Sequence, residues 1–394
     1  MSRGNPVVVV GASLAGLRAV EALRRRGDDR RIVWVSAERT LPYDRPPLSK
    51  QILRGEWEPA RAALKANYSL LGVEPLLGVR AVALDADKRQ VTLSNGDAVS
   101  YSGLVVATGA TARTLAGAER FAGVHTLRTL DDAMAIRSEL ERRPRVAVVG
   151  AGFIGLEVAA SCRGLGLDVT VVEALPTPLE RQLGPVMGAA VAELHVAQGV
   201  TLRAGVSVER VVGEDRVEAL VLSDGSAVQA DLVVVGIGVE PETRWLEGSA
   251  VRLQRGVLCD SRCRTSAPDV VACGDVTRWR DASGETMHVE HWTNAVEQAN
   301  AAVAALLDGD GAPEYRSVPY FWTDQYDAKL QFAGQVQPGD SLRIVGGSVD
   351  TRNLLAVYGR AGRMTAVLAV NDPAAFIRTR RALHDGAAFE ATVR

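Results

Sequence analysis

Two short stretches of this 394-residue chain could hold phosphate groups, Gly11-Ala12-Ser13-Leu14-Ala15-Gly16 and Gly150-Ala151-Gly152-Phe153-Ile154-Gly155. Small residues at this spacing make a turn tight enough for backbone N–H groups to approach a pyrophosphate, and a helix that starts there adds partial positive charge. Each stretch is followed by a carboxylate, Glu38 being 22 positions beyond Gly16 and Glu173 being 18 beyond Gly155. A carboxylate at that distance accepts from the hydroxyls of a ribose. The second copy has all three glycines, whereas the first has Ser13 at the middle position, where a small hydroxyl side chain still fits beside phosphates. Glu173 also selects the cofactor, because it accepts from a free 2'-hydroxyl and repels a 2'-phosphate. Ala174 and Leu175 offer no arginine to hold such a phosphate, so NADH is expected over NADPH, with Arg181 the one nearby cation on the other side of the argument.

The elements that position these turns follow from apolar patterning. Val7 to Val10 is a fully apolar, β-branched run that reads as a buried parallel strand leading into the first turn. A helix with Leu14, Leu17, Ala19, Val20 and Leu23 on its apolar face follows, then a strand over Arg31 to Val35. The second copy repeats this with strands over Arg145 to Val149 and Asp168 to Val172, the two turns lying 139 residues apart. Two such units imply two dinucleotides in one chain. Three further strand ends close on small residues that let a ligand approach the backbone. They are Leu104 to Ala110, ending on Ala107, Thr108 and Gly109; Val233 to Pro241, containing Gly238; and Val270 to Asp275, where Gly274 precedes an aspartate placed to hold a ribityl hydroxyl.

Tyr43 to Lys50 (YDRPPLSK), Glu290 to Ala295 (EHWTNA) and Pro319 to Tyr326 (PYFWTDQY) carry a more specific signal. With these segments the chain resembles the pyridine-nucleotide flavoprotein reductases of the glutathione reductase fold, and among them the FAD-dependent ferredoxin reductases that serve bacterial cytochromes P450 and Rieske oxygenases. The resemblance covers nearly the whole chain. It implies an α/β fold of two Rossmann-like dinucleotide-binding domains plus a C-terminal α+β domain. The expected division is a split FAD domain over 1–112 and 243–312, an NADH domain over 113–242 and a C-terminal domain over 313–394. Carried over by position, Gly11, Ser13, Leu14, Ala15, Gly16, Glu38, Arg45, Lys50, Val82, Ala107, Thr108, Gly109, Arg128, Gly274, Asp275 and Trp292 are expected at FAD. Gly150, Gly152, Phe153, Ile154, Gly155, Glu157, Glu173 and Gly238 are expected at NADH. The sequence departs from many relatives at Thr111-Ala112-Arg113, where a proline commonly precedes the arginine, and Arg113 is left out of the site.

The reaction is narrowed by what the flavin side lacks. Disulfide reductases of this fold carry a CxxxxC pair there, yet Leu41 to Gln51 holds no cysteine and the first in the chain is Cys162. A dithiol relay is therefore excluded, and Cys162 reads as a small apolar helix residue. The expected course is hydride transfer from NADH to flavin N5, then single-electron transfer to a 2Fe-2S ferredoxin that feeds a P450 or Rieske oxygenase. Lys50 is the expected cation near N5, Glu157 its ion-pair partner across the two domains, and Trp292 a cover over the flavin and nicotinamide. Lys50 is one of only four lysines, the others being Lys65, Lys88 and Lys329, in a chain that otherwise uses arginine. An acidic ferredoxin would be steered by Arg316, Lys329, Arg378, Arg380 and Arg381, against which stand Asp324, Asp327, Asp340 and Asp372. Rubredoxin reductase or NADH oxidase activity on the same scaffold is the alternative, as is an NADH-responsive binding flavoprotein like apoptosis-inducing factor.

Composition agrees with a globular cytoplasmic enzyme. With 47% hydrophobic residues, 23% charged residues and a net charge of −2, there is no footprint for nucleic acid. No apolar run reaches bilayer length, four cysteines make no disulfide scaffold, and five histidines form no metal-ligand cluster.

Overall fold

A computed structural model of the chain describes residues 4–281, 284–349 and 351–390. The chain divides into two compact units, one of Met1–Asp44, Ala63–Thr111 and Val239–Pro319, the other of Arg45–Ala62, Ala112–Gly238 and Tyr320–Arg394.

The first unit is built on a parallel sheet in the order Val270–Ala272, Gly103–Val106, Val7–Val10, Ile32–Ser36, Val73–Leu77. Val7–Val10 lies at its centre with every residue buried, as an unbroken β-branched run requires when both sheet faces are covered. The helices Leu14–Arg25 and Trp292–Asp308 contribute to the same core through Leu17, Val20, Leu23, Ala299, Ala302 and Val303. A separate antiparallel sheet of Ala81–Asp85, Gln90–Leu93 and Ala98–Ser100 lies within this unit.

The second unit repeats the plan with Thr201–Ala204, Val169–Glu173, Val146–Val149, Leu232–Val235 and Val124–Thr126, again all parallel. Its outer strand on the Leu232–Val235 side precedes the central strand in sequence, whereas the matching strand of the first unit comes last. In both sheets the strand order reverses beside the first strand of the βαβ unit, and a crevice opens at such a switch point. The second unit also holds a five-stranded antiparallel sheet ordered Tyr320–Gln325, Ala328–Gly334, Arg363–Val370, Asn353–Arg360, Ser341–Ser348. The helix Pro373–His384 follows, with Pro373 in its first turn and the Asp372 side chain accepting from Ala375 N–H. The two-domain α/β plan with a C-terminal α+β portion is thus the observed fold. The middle residues of Asn353–Arg360 are buried on both faces, so this strand does not alternate.

Candidate active site

In the first unit a Cβ placed on Gly11, whose φ is +112°, would lie 2.1 Å from Ala107 O, and one on Gly16 would lie 1.8 Å from Gly11 O. The turn therefore presses against the Ala107–Thr108 strand end, and Ala107 N–H donates to Val10 O at 2.8 Å. Ser13 is the extended N-cap residue of Leu14–Arg25 and its side chain makes no capping bond. That extended geometry suits any L residue, which explains why serine can stand in the glycine position. Leu14 and Ala15 are buried, and Gly274, at φ +79°, comes close enough to Ala15 that a Cβ there would lie 3.0 Å from the alanine methyl.

Gly274 and Thr277, which flank Asp275 on either side, are held by a residue that the sequence did not flag. Gln298 Oε1 accepts from Gly274 N–H at 2.8 Å and from Thr277 Oγ1 at 2.9 Å. Glu38 accepts a hydrogen bond from the Tyr43 hydroxyl. Trp292, the first residue of its helix, donates its indole N–H to Asp44 Oδ1 at 2.8 Å. Thr108 Oγ1 donates to Glu242 O at 2.7 Å and Gly109 O accepts from Glu242 N–H at 3.0 Å. Val82 is 48% exposed on the Ala81–Asp85 strand.

In the second unit a Cβ on Gly150 would lie 2.4 Å from Gly236 O, and one on Gly155 would lie 2.1 Å from Gly150 O. Gly152, by contrast, has φ −75° and ψ 177°, and a Cβ on it would meet nothing within 4 Å. Nothing in the protein requires glycine there; it keeps open the space in front of the helix Phe153–Gly164. A Cβ on Gly238 would also meet nothing within 4 Å, but there the backbone itself favours glycine, with φ +100°, and its carbonyl accepts from Arg113 N–H at 3.0 Å. Glu173 is clamped beside the turn, accepting from Ala151 N–H at 2.6 Å and Leu175 N–H at 2.8 Å. Each carboxylate oxygen keeps a lone pair for a ribose hydroxyl. Phe153 packs on Phe321 with ring centroids 4.2 Å apart, and Ile154 is exposed. The first turns of Leu14–Arg25, Phe153–Gly164 and Trp292–Asp308 contain no acidic residue, so no side-chain carboxylate competes with an anion there. The backbone cradles therefore fit two dinucleotide pyrophosphates.

Lys50 and Glu157 come together inside the second unit. Lys50 lies in a π-helical turn, Leu48–Ile52, closed by Ile52 N–H donating to Pro47 O at 3.0 Å. Ser161 Oγ donates to Ser49 O at 2.7 Å and ties the turn to Phe153–Gly164. Lys50 Nζ then meets Glu157 Oε2 at 2.7 Å, the two residues being 5% and 6% exposed. The Ser49 hydroxyl donates to the same oxygen, and Thr323 Oγ1 donates to Glu157 Oε1 at 2.7 Å. A buried charge pair is tolerable only when its remaining lone pairs are used in this way. Ser49 and Thr323 were not named from sequence as separate residues, although each lies in a segment recognised as distinctive. Arg45 and Arg128 also meet in this unit, the Arg45 guanidinium donating to Arg128 O just before the capping box formed by Thr129 and Asp132.

No thiol is poised for redox work. All four cysteines are free and buried, and burial pushes Cys162 and Cys273 up to about 12. Burial likewise holds Cys259 and Cys263 well above the ordinary thiol range. Inert thiols of this kind behave as small apolar side chains. Among the described residues no group of His, Cys, Asp and Glu could hold a metal ion, and no helix is long and apolar enough to cross a membrane.

Two glycine cradles, a buried lysine and a C-terminal sheet define the class: the chain belongs to the pyridine nucleotide-disulphide oxidoreductase family, which its residues 5–299 match, and residues 320–393 match the reductase C-terminal family. Within that class it is similar to ferredoxin reductases. It is 39% identical over 374 residues to the anthranilate 1,2-dioxygenase system ferredoxin–NAD(+) reductase component of Burkholderia cepacia, covering 93% of this chain and 91% of that one. The solved ferredoxin reductase for the CYP199A2 system from Rhodopseudomonas palustris is 35% identical with a TM-score of 0.94, over 99% of this chain and 98% of that one. The covalent putidaredoxin reductase–putidaredoxin complex also gives 0.94, at 31% identity, over 100% of this chain and 96% of that one.

Proposed function

We propose that this chain is an NADH-dependent ferredoxin reductase, taking electrons from NADH through FAD and delivering them one at a time to a 2Fe-2S ferredoxin that feeds a Rieske oxygenase or a cytochrome P450. One observation carries the reading: two dinucleotide cradles occur in a chain with no cysteine before Cys162. Electrons reaching the first cradle have no protein dithiol to enter, so they must leave for an outside acceptor. FAD, when bound, supplies the step between two-electron and one-electron chemistry that a nicotinamide performs poorly.

The residues divide the work as follows. The turn from Gly11 to Gly16 and the helix after it hold the FAD pyrophosphate, with Glu38 toward the ribose, Gly274 and Asp275 toward the ribityl chain, and Leu14, Ala15, Val82, Ala107, Thr108, Gly109, Arg45 and Arg128 as further contacts. Gly150 to Gly155 hold the NADH pyrophosphate, Glu173 the adenosine ribose, and Gly238 leaves room beside it. The clamped Glu173 carboxylate opposes a 2'-phosphate, while Arg181 is exposed at the start of the helix Glu180–Ala197. Lys50 holds a positive charge that favours the reduced, anionic flavin; Glu157 keeps that charge paired, and Trp292 covers the reacting rings. The FAD domain is assigned to 1–112 and 243–312, the NADH domain to 113–242 and the C-terminal domain to 313–394. The unpaired buried thiols suit a reducing cytoplasm. Arg378, Arg380 and Arg381 on Pro373–His384 would steer an acidic ferredoxin, Arg380 stacking over the Tyr320 ring at 4.4 Å.

The test is NADH-driven cytochrome c reduction with and without a 2Fe-2S ferredoxin, together with stopped-flow reduction of the flavin. Ferredoxin should raise turnover at least tenfold, and Lys50→Met should slow flavin reduction while FAD content is kept. Equal turnover without ferredoxin, electrons passing to oxygen, would refute the acceptor; an unchanged Lys50→Met rate would remove the role of that lysine.

A further inference from the structure

The Lys50–Glu157 pair is the end of a longer buried chain, all of it in the second unit. Beyond Thr323, Gln325 Nε2 meets Thr323 Oγ1 at 3.2 Å and Gln325 Oε1 meets His195 Nε2 at 2.8 Å. His195 Nδ1 meets the Tyr326 hydroxyl at 3.2 Å. Thr323 and Gln325 are 0% exposed and His195 is 1% exposed. Neither the distinctive segments nor the proposed reaction accounts for a histidine at this place.

Hydrogen-bond chemistry gives the chain one direction. Lys50, Ser49 and Thr323 all donate to the Glu157 carboxylate, which only accepts. The Thr323 oxygen must then accept from the amide NH2 of Gln325. That turns the amide oxygen toward His195, whose Nε2 must carry the proton, and leaves the Nδ1 lone pair to accept from Tyr326 O–H. Reversing any link sets two donors or two acceptors face to face inside a dry interior, where an unmade bond is costly. The hairpin that carries three of these residues is itself constrained. Gln325 pairs with Ala328 across a two-residue turn, and Tyr326 there has φ +56°, a left-handed conformation that a tyrosine keeps only when its surroundings hold it.

We propose that Thr323, Gln325 and His195 are positioning residues, a one-way donor chain from the C-terminal hairpin that turns the Glu157 carboxylate toward Lys50 and so sets the rate of flavin reduction. The kinetic half of this proposal rests on the role given to Lys50 above. The surroundings keep the chain neutral. Burial lowers the His195 imidazole and pushes the Tyr326 hydroxyl and the Cys162 thiol up to about 12. The nearby charge, Arg163, is occupied by the carbonyls of Gln198 at 3.0 Å and Leu167 at 2.5 Å.

Nitrogen-15 NMR of the histidine rings in the FAD-loaded protein tests the chain without any turnover, since only five histidines are present. His195, assigned by its loss in His195→Gln, should show the Nε2–H tautomer and should take up a proton only below the ordinary imidazole range. Tyr326→Phe, which keeps the ring, should shift the Nδ1 resonance of His195 and of no other histidine. In stopped flow, Thr323→Val should slow flavin reduction about tenfold, the effect of about one lost hydrogen bond. NADH affinity should stay unchanged, and Thr323→Ser should restore the rate. An Nδ1–H tautomer, or ordinary titration near pH 6.5, would overturn the donor chain. A wild-type rate in Thr323→Val alongside a slow Lys50→Met would overturn its effect on reduction. A fast Lys50→Met would instead refute the role of the lysine, and the histidine spectrum would still decide whether the chain exists.

Discussion

Gly152→Ala separates glycines that the fold needs from the glycine that a ligand needs. At φ −75° and ψ 177° an alanine is unstrained, and its Cβ would meet no protein atom within 4 Å. Stability should change by less than about 1 kcal/mol, because the restriction that alanine places on the unfolded chain is offset by its poorer fit at a helix N-cap. The same methyl would project into the space before the Phe153–Gly164 helix, where a pyrophosphate must come within hydrogen-bond reach of backbone N–H groups. Lengthening those charge-assisted bonds should weaken NADH binding by about 1–2 kcal/mol, roughly 5- to 30-fold. Gly155→Ala is the control with the opposite signature: its Cβ would lie 2.1 Å from Gly150 O, so the turn must open at a cost of about 1–3 kcal/mol or more. Thermal melts of the FAD-loaded proteins and the NADH concentration dependence of flavin reduction give the two numbers. If Gly152→Ala binds NADH like the parent, or melts as low as Gly155→Ala, the assignment of this turn to the nicotinamide cofactor is wrong.

Two further outcomes are expected. His291 is half-buried beside Asp275 and Glu290, and burial lowers its imidazole to about 4. The folded protein keeps it neutral while the unfolded chain binds a proton below about 6.5, so its stabilisation is complete above about pH 6.5 and is lost as pH falls toward 4. Allowing for its partial exposure, His291 should cost about 1–2 kcal/mol on going from about pH 7.5 to about pH 5. His291→Asn should flatten the melting temperature over that range, and an unchanged slope would exclude the effect. The four thiols should resist Ellman's reagent in the native protein and react fully once it is unfolded, as burial and raised pKa require. A thiol titrated at once in the native state would contradict the buried core around them.

Much of the molecule was readable along the chain because its main signals are local. A β-branched strand, a small-residue turn, a helix and a second strand lie within one βαβ unit, so spacing alone marked both turns and the acid that follows each. The absence of cysteine on the flavin side was equally plain, and it removed a whole class of reaction. The sequence marked Lys50 as unusual but could not bury it. The pairing of Lys50 with Glu157 was expected, but only tertiary structure wound Leu48–Ile52 into a π-helical turn that buries the pair, and set Thr323, 166 residues from Glu157, on the other carboxylate oxygen. It also placed Gln325 against His195, 130 residues away. Pairings at such separations leave no periodicity to read, because whether a polar side chain is buried and which partner satisfies it depend on which strands and helices the fold packs together.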